Sequence, residues 1–148
     1  MKENELKIQK TKEEKLKEAY IQYQMLKQQL NALNSQKSLL EKNIELMNET
    51  IENMKEINSV QEGKEILSSI GNGVYVKAEL KNNKNVIIEI GSDIMIEKSI
   101  PEAILLLEKK KEEAKEIVEK IDNQIIAFEN EISKIERKIV EISKEVEK

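Results

Sequence analysis

The chain has 148 residues, of which 36% are charged and 3% aromatic, and its formal net charge is −4. A compact core of this length usually contains more large rings, whereas abundant Lys and Glu with Ile and Leu are typical of long helices with a narrow apolar seam. The chain contains no cysteine and no histidine, so it lacks thiolate nucleophiles, imidazole bases and the usual zinc ligands, and we expect no catalytic residue, cofactor or metal.

The first predicted element is a long coiled-coil helix over residues 1–58. From Leu16 onward, apolar residues recur at alternating steps of three and four, which predicts a coiled-coil seam. No Gly or Pro precedes Gly63, so nothing obvious ends the helix before about Asn58. The seam positions are Leu16, Ala19, Tyr23, Leu26, Leu30, Leu33, Lys37, Leu40, Ile44, Met47, Ile51 and Met54.

One stretch of this helix, residues 19–36, contains a single Lys and no acidic residue. Within it, Ile21 and Met25 are apolar and lie off the seam. Scattered exposed apolar residues need no functional explanation. However, a weakly charged surface rich in Met and Gln is also what an adaptable binder of non-native chains would present. The two interpretations are about equally supported.

The central segment, residues 59–99, contains all four glycines and predicts β structure. Strands are predicted at 74–80 and 86–90, because apolar and polar residues alternate there. A three-residue loop at 82–84, with one Asn in the left-handed conformation, would place the apolar faces together by pairing Leu80 with Val86, Ala78 with Ile88 and Val76 with Ile90. Residues 65–70 and 94–98 are weaker strands that could form a second hairpin. Gly71-Asn72-Gly73 is interpreted as a tight turn and not as a phosphate-binding loop.

This small sheet would have an apolar face and open edges but no second layer to cover them. An isolated hairpin is marginally stable in water, and an open edge invites pairing with another chain. We therefore expect subunits to assemble through this segment. The predicted assembly residues are Val74, Val76, Ala78, Leu80, Val86, Ile88 and Ile90.

The last element is a second coiled-coil helix over residues 100–148. Ser99 is the expected N-cap, with Glu102 at the third helical position and Pro101 in the first turn. If the two helices pair as an antiparallel hairpin, facing residue numbers sum to about 158, and both chain ends lie at one tip. The seam positions are Ile100, Ile104, Leu107, Lys111, Ala114, Val118, Ile121, Ile125, Phe128, Ile132, Ile135, Ile139, Ile142 and Val146.

Lys37 and Lys111 interrupt the two seams. Their stems could lie along the seam while the ammonium groups reach solvent. Alternatively, they could set the register of the helices at a cost in stability. We favour the first interpretation, because single polar residues are common in seams.

The order helix, β segment, helix is similar to that of the prefoldin family. Residues 70–80 (IGNGVYVKAEL) resemble a strand motif of its α-type subunits, and residues 85–91 and 96–104 resemble the segments that follow it. Ser68-Ser69, Ser92-Asp93 and Ile94-Met95 depart from the family pattern. The resemblance implies a mainly α fold with a small β part: a long antiparallel coiled-coil hairpin joined by one or two β-hairpins that oligomerise into a β-barrel platform.

The resemblance also implies a function and partners. The chain is expected to be an ATP-independent chaperone subunit that captures non-native protein clients at the coiled-coil tips and delivers them to a group II chaperonin. Its assembly partners would be prefoldin β-type subunits or copies of itself. The candidate client-binding residues, near the expected tip or lower on the helices, are Leu6, Ile8, Ile21, Met25, Ile139, Ile142 and Val146.

Other functions are kept as alternatives. Within the family, the chain could form a homo-oligomer or a filament, since self-pairing edges give a ring if the rotation closes and a filament if it does not. Outside it, the chain could be a purely structural coiled-coil spacer, and an enzyme is the least expected. The interspersed charges predict no nucleic-acid partner. No apolar run is long enough to cross a membrane, so we expect a cytoplasmic protein.

Overall fold

A computed structural model describes residues 2–147 of the chain, and the side chains of all of these except residues 7–10. The elements are helix α1 (Lys2–Ser59), strands β1 (Glu65–Gly71), β2 (Val74–Glu79), β3 (Asn85–Gly91) and β4 (Ile94–Ser99), and helix α2 (Ile100–Glu147). The chain forms two compact units. One contains the residues up to Leu40 and from Glu116 onward, and the other is Glu41–Lys115.

The first unit is an antiparallel pair of helical segments from α1 and α2. An ion pair joins Lys12 to Glu145 across the helices at 3.9 Å, and a second joins Lys37 to Asp122 at 2.6 Å. In both pairs the residue numbers sum to within one of the predicted 158, so the predicted antiparallel register is confirmed here. The buried side chains of this unit are Ala19, Ile121, Ile125, Ile132, Ile135 and Ile142.

The predicted seams account for the burial in both helices. Every seam position from Leu16 to Met54 in α1, and from Ile100 to Val146 in α2, is buried or half-buried. Several apolar residues off the seams remain in solvent, as Leu39 does with 70% of its surface exposed, whereas Ala103, one position before Ile104, is buried. The alternating steps of three and four keep one stripe of each helix facing the other, which confirms the coiled-coil prediction.

The β segment forms two hairpins, each a two-stranded antiparallel sheet. Strand β1 pairs with β2, and β3 pairs with β4. The predicted hairpin between residues 74–80 and 86–90 is therefore wrong. Ala78 lies opposite Ile66, and Ile88 lies opposite Ile96. Residues 80–84 connect the two hairpins, and none of residues 82–84 has a positive φ.

The turns explain the observed pairing. Asn72 and Gly73 have φ values of 48° and 77°, and Ser92 and Asp93 have 50° and 61°. Two consecutive left-handed residues match the twist of antiparallel strands, and two-residue turns close a hairpin with a short loop. Gly71-Asn72-Gly73 is thus a tight turn, as predicted. It joins β1 to β2, a connection that the sequence argument did not make.

The core of the second unit lies where the helices meet β3. Ile51, Met54, Ile100 and Ala103 form a buried cluster, and Val86 and Ile88 pack against it. Ile57, Ile104 and Leu107 are partly buried against the same cluster. The second hairpin is therefore attached to the helices by its own apolar side chains, whose partial burial stabilises the contact.

Helix α2 begins directly after β4, where the chain changes from strand to helix without a loop. The Glu102 N–H donates to Ser99 Oγ at 3.3 Å, so the predicted N-cap is confirmed. The Ile100 N–H donates to the Lys84 carbonyl at 2.8 Å, which extends the second hairpin by one bond. This start places Ile100, with 1% of its surface exposed, in the core cluster.

Candidate interaction surfaces

The two hairpins are structural repeats of each other, offset by 20 residues. Residues 65–79 and 85–99 have the same strand lengths and the same register shift one residue before the turn, at Ser69/Gly71 and at Glu89/Gly91. In both, the motif Ile-Gly-x-x-Val/Ile spans the turn, as Ile70 to Val74 and Ile90 to Ile94. This internal repeat is the sequence signal that would have predicted the observed pairing.

Both hairpins expose large apolar side chains. This apolar hairpin surface includes residues that the sequence did not single out, among them Leu67 with 66% and Ile87 with 71% of its surface exposed. Such a concentration of exposed apolar residues in a short segment marks an interaction site. Its members are Leu67, Ile70, Val74, Tyr75, Val76, Ile87, Ile90, Ile94 and Met95.

The predicted assembly residues occupy two different environments. Val74, Val76 and Ile90 are exposed by 53%, 44% and 53% and are free to contact another chain. Val86 and Ile88 instead pack against the helical core of their own chain, and Ala78 and Leu80 are half-buried. Some of the predicted assembly residues therefore pack within their own chain, and the others are exposed to solvent.

A second apolar surface lies on α1 within the weakly charged stretch. Tyr20, Ile21 and Met25 are exposed by 50%, 56% and 56% and line a shallow depression on the helix. The depression also contains Lys17, Gln24 and Gln28. Nearby, Lys27 Nζ lies 5.4 Å above the Tyr23 ring. We call Tyr20, Ile21 and Met25 the α1 patch.

The other predicted client-binding residues lie near the chain ends, in the first unit. Leu6 is 62% exposed, whereas Ile142 is buried with 8% exposed, and Ile139 and Val146 are half-buried in the seam. The Ile8 side chain lies outside the described residues. One face of α2 thus contains Ile139, Ile142 and Val146, which are buried or half-buried there and not fully exposed to solvent.

The electrostatic features of the described residues are those of a solvated helix surface. Lys111 Nζ lies 2.7 Å from Glu108 Oε2, and this hydrogen bond holds the pKa of Glu108 below its usual value. Stability from the pair is thus present at neutral pH and is lost as the pH falls through that lowered pKa.

Among residues 2–147, no group of three or more Asp or Glu side chains is arranged to hold a metal ion. Neither helix is long and apolar enough, over the same residues, to cross a membrane.

These features define a class of protein: a helical coiled-coil hairpin whose helices are joined by tandem β-hairpins with an exposed apolar surface. Comparison with known families agrees with this class. The family described as "Prefoldin subunit" matches residues 26–145. The chain belongs to the prefoldin family, which is a family of molecular chaperones.

Two relatives in that family are alpha subunits. The chain is 36% identical to prefoldin subunit alpha of Thermofilum pendens over 118 residues, which cover 80% of this chain and 92% of the relative. It is also 36% identical to prefoldin subunit alpha of Pyrococcus horikoshii over 121 residues, covering 82% and 78% of the two chains. The predicted resemblance to α-type subunits is confirmed.

A solved structure supports the fold. A chain of the filamentous PFD from Methanocaldococcus jannaschii, determined by cryo-electron microscopy, matches with a TM-score of 0.56 and 20% identity. The match covers 87% of this chain and 98% of the other. At this identity the likeness concerns the fold alone, and it confirms the expected architecture of two long helices joined by small β-hairpins.

Proposed function

We propose that the chain is a subunit of an ATP-independent holdase, which binds non-native proteins on its coiled coil and passes them to a group II chaperonin in the cytoplasm. The observation that carries the proposal is the α1 patch. Its three apolar side chains are each at least half exposed. Residues 19–36 contain no acidic side chain, so an apolar client can bind there without burying a carboxylate.

The proposal gives the three parts of the chain separate tasks. Residues 59–99 assemble subunits through the apolar hairpin surface, and residues 1–58 and 100–148 present the client-binding surface. The partners are prefoldin β-type subunits or further copies of the chain. Several coiled coils held on one platform would bind one client by many weak contacts, which gives avidity without a tight site. Gly71-Asn72-Gly73 closes a hairpin and opens no helix, so it does not form a phosphate-binding loop.

The second candidate is a homo-oligomer or filament of this chain alone. The observation that favours it is the likeness to the M. jannaschii chain, whose assembly is filamentous. Because each hairpin has open edges, copies could pair edge to edge without a β-type subunit. Mass measurement of the purified chain, alone and with candidate β-type subunits, separates the two forms of assembly.

The α1 patch can be tested by removing its apolar side chains. The variant Ile21→Ser, Met25→Ser should suppress aggregation of a heat-denatured test protein less well than the wild type, measured by light scattering at equal subunit concentration. Helix stability should change little, because both side chains are exposed and off the seam.

A matched control variant is Leu105→Ser, Ile117→Ser. These residues are also exposed apolar positions, at 70% and 47%, but each has an acidic residue three or four positions away on the helix, Glu108 and Glu113 respectively. The control should protect the test protein as well as the wild type does. Equal protection by both variants would show that the α1 patch has no part in binding. If the wild type with its partners gives no protection at all, the chain is a spacer and not a holdase.

A further inference from the structure

The turn of the first hairpin contains an Asn-Gly pair, Asn72-Gly73. Asn72 is the one asparagine of the chain that a glycine follows. Both residues are exposed, and they lie between β1 and β2 and not within either strand. The turn of the second hairpin has the same length but contains Ser92 and Asp93. The two hairpins therefore differ in the chemistry of their turns.

An asparagine side chain can react with the backbone of the residue that follows it. The next backbone nitrogen attacks the side-chain amide carbon, Cγ, and a succinimide ring forms. The proton of that N–H and the side-chain NH2 group leave together as ammonia. Water then opens the ring at either carbonyl, which gives aspartate or isoaspartate. Glycine favours the attack because it has no Cβ to hinder its nitrogen and because its backbone rotates freely.

The surroundings of Asn72 leave both reacting groups available. No atom beyond the adjacent residues lies within 4 Å of the place that a Cβ of Gly73 would occupy, so the space there is open. Within residues 2–147, no hydrogen bond holds the Asn72 side chain. The first hairpin also lacks the core contacts of the second, so local opening of its strands costs less free energy. Such opening gives the side chain and the Gly73 nitrogen the freedom to meet.

The other asparagines are held in place more firmly. Most lie in α1 and α2, where the helical hydrogen bond engages the N–H of the following residue. Between the hairpins, Asn82 Oδ1 accepts hydrogen bonds from the Lys84 and Asn85 N–H groups at 2.8 and 3.0 Å. Asn83 Nδ2 donates to the Val60 carbonyl at 2.9 Å. These bonds restrain side chains that would have to rotate toward the backbone, so we expect the reaction to be fastest in the Asn-Gly turn.

We propose that Asn72 is a site of spontaneous deamidation, which proceeds through a succinimide with the Gly73 nitrogen and yields isoaspartate alongside aspartate. Isoaspartate routes the backbone through the former side chain and lengthens the turn by one methylene group. Gly71 lies opposite Val74 across this turn, so a longer turn no longer fits the register of the strands. The first hairpin is thus the part of the chain that ages first. The reaction depends neither on assembly nor on client binding.

Mass spectrometry of the full chain, incubated at mildly alkaline pH, tests the reaction. Trypsin releases residues 65–77 as a peptide in which Asn72 is the single asparagine. This peptide should exchange NH2 for OH several-fold faster than peptides 82–84 and 85–98, and an isoaspartyl methyltransferase should detect isoaspartate in it. A sample digested at time zero corrects for deamidation during digestion. Equal rates in the three peptides, or a product that is aspartate alone, would overturn the proposal.

Two variants separate the longer backbone from the added charge. Asn72→Ser removes the reactive amide and introduces the residue type that the second hairpin has at Ser92, where φ is 50°. Fresh Asn72→Asp adds the carboxylate without lengthening the turn, and its amide hydrogen exchange should match that of fresh wild type. After incubation, exchange in β1 and β2 should be faster in the wild type but not in Asn72→Ser, and exchange in β3 and β4 should stay the same.

Three results of this exchange experiment would contradict the proposal. Faster exchange in incubated Asn72→Ser would show that another change in the chain opens the hairpin. Faster exchange in fresh Asn72→Asp would assign the effect to charge. Unchanged exchange in wild type that has formed isoaspartate would show that the turn accommodates the longer backbone.

Discussion

At the scale of single residues, Lys37 shows how a charge is accommodated in an apolar seam. Its ammonium group reaches across to Asp122 on α2 at 2.6 Å, and the two side chains are 33% and 43% exposed. Lys111, in contrast, pairs with Glu108 on its own helix. Lys37 thus keeps its charge near solvent, as the first interpretation of the sequence holds, and its ion pair connects the two helices.

Lys37 and Asp122 should therefore be energetically coupled. A double-mutant cycle with Lys37→Met and Asp122→Asn should give a coupling of about 0.5 kcal/mol in urea unfolding, because an exposed pair is screened by solvent. High salt should reduce it. Lys37→Met alone should change the free energy of unfolding little, since it extends the apolar seam. A coupling indistinguishable from zero at low salt would show that the pair does not contribute to the register.

Gly73 is the residue whose backbone most directly determines the first hairpin. Its φ of 77° is left-handed, and a Cβ there would meet no atom within 4 Å, so substitution strains the backbone without a clash. Gly73→Ala should destabilise the hairpin by about 1 kcal/mol. Faster amide hydrogen exchange in β1 and β2 would report this loss. Ser68→Ala, in the exposed part of β1, is the control, and equal exchange in both variants would contradict the argument.

At the scale of elements, the two hairpins share a backbone but differ in what covers them. Val86 and Ile88 of the second hairpin lie on the helical core, whereas the aligned positions of the first, Ile66 and Ser68, belong to no such cluster. The first hairpin therefore has less apolar contact with the helical core than the second. Substitutions in the first hairpin therefore test assembly, and substitutions in the second hairpin test folding.

Charged substitution on the first hairpin should separate assembly from folding. Val74→Asp with Val76→Asp should lower the oligomer mass, because it places carboxylates on the exposed apolar hairpin surface. Helicity and the unfolding midpoint should change little, since both side chains are about half exposed already. Sedimentation velocity measures the mass.

The matched comparison is Ile88→Ala in the second hairpin. It removes a side chain that packs on the core cluster, so it should lower the free energy of unfolding by about 2 kcal/mol. An oligomer of unchanged mass in the Val74, Val76 variant would show that the helices, and not the first hairpin, hold the subunits together.

The helices were predictable from sequence to a greater extent than the sheet. A seam of alternating three and four steps repeats over many turns, so its phase is fixed by many residues at once. The strands are six or seven residues long, and the apolar faces of Val76 and Ile88 match in more than one pairing. The strand pairing therefore depends on the two turns. One of them, the left-handed pair Ser92-Asp93, contains no glycine that would identify it as a turn in the sequence. Burial of Ala103, with 0% exposed, was also missed, because it lies one step off the predicted seam.

At the scale of the whole molecule, the surfaces proposed for assembly and for client binding use different parts of the chain. The apolar hairpin surface lies within residues 65–99, and the α1 patch and the chain-end residues belong to the first unit. Changes at one surface should therefore leave the other intact. At the chain ends, Ile139, Ile142 and Val146 are buried or half-buried in the folded chain, so client binding there would require the helix ends to open.

Removal of residues 1–10 and 140–148 tests that opening. The ends of helices fray, since their last turns lack intrahelical hydrogen-bond partners, and fraying exposes seam residues such as Ile142 to a non-native chain. Truncation should abolish most suppression of aggregation, a larger loss than Ile21→Ser with Met25→Ser causes. The number of subunits per oligomer, measured by native mass spectrometry, should remain that of the full chain, because the hairpins are untouched.

As a control, Ile142→Val keeps the seam apolar and should protect the client normally. Full protection by the truncated chain would place client binding away from the chain ends, and a changed subunit number would show that the ends contribute to assembly.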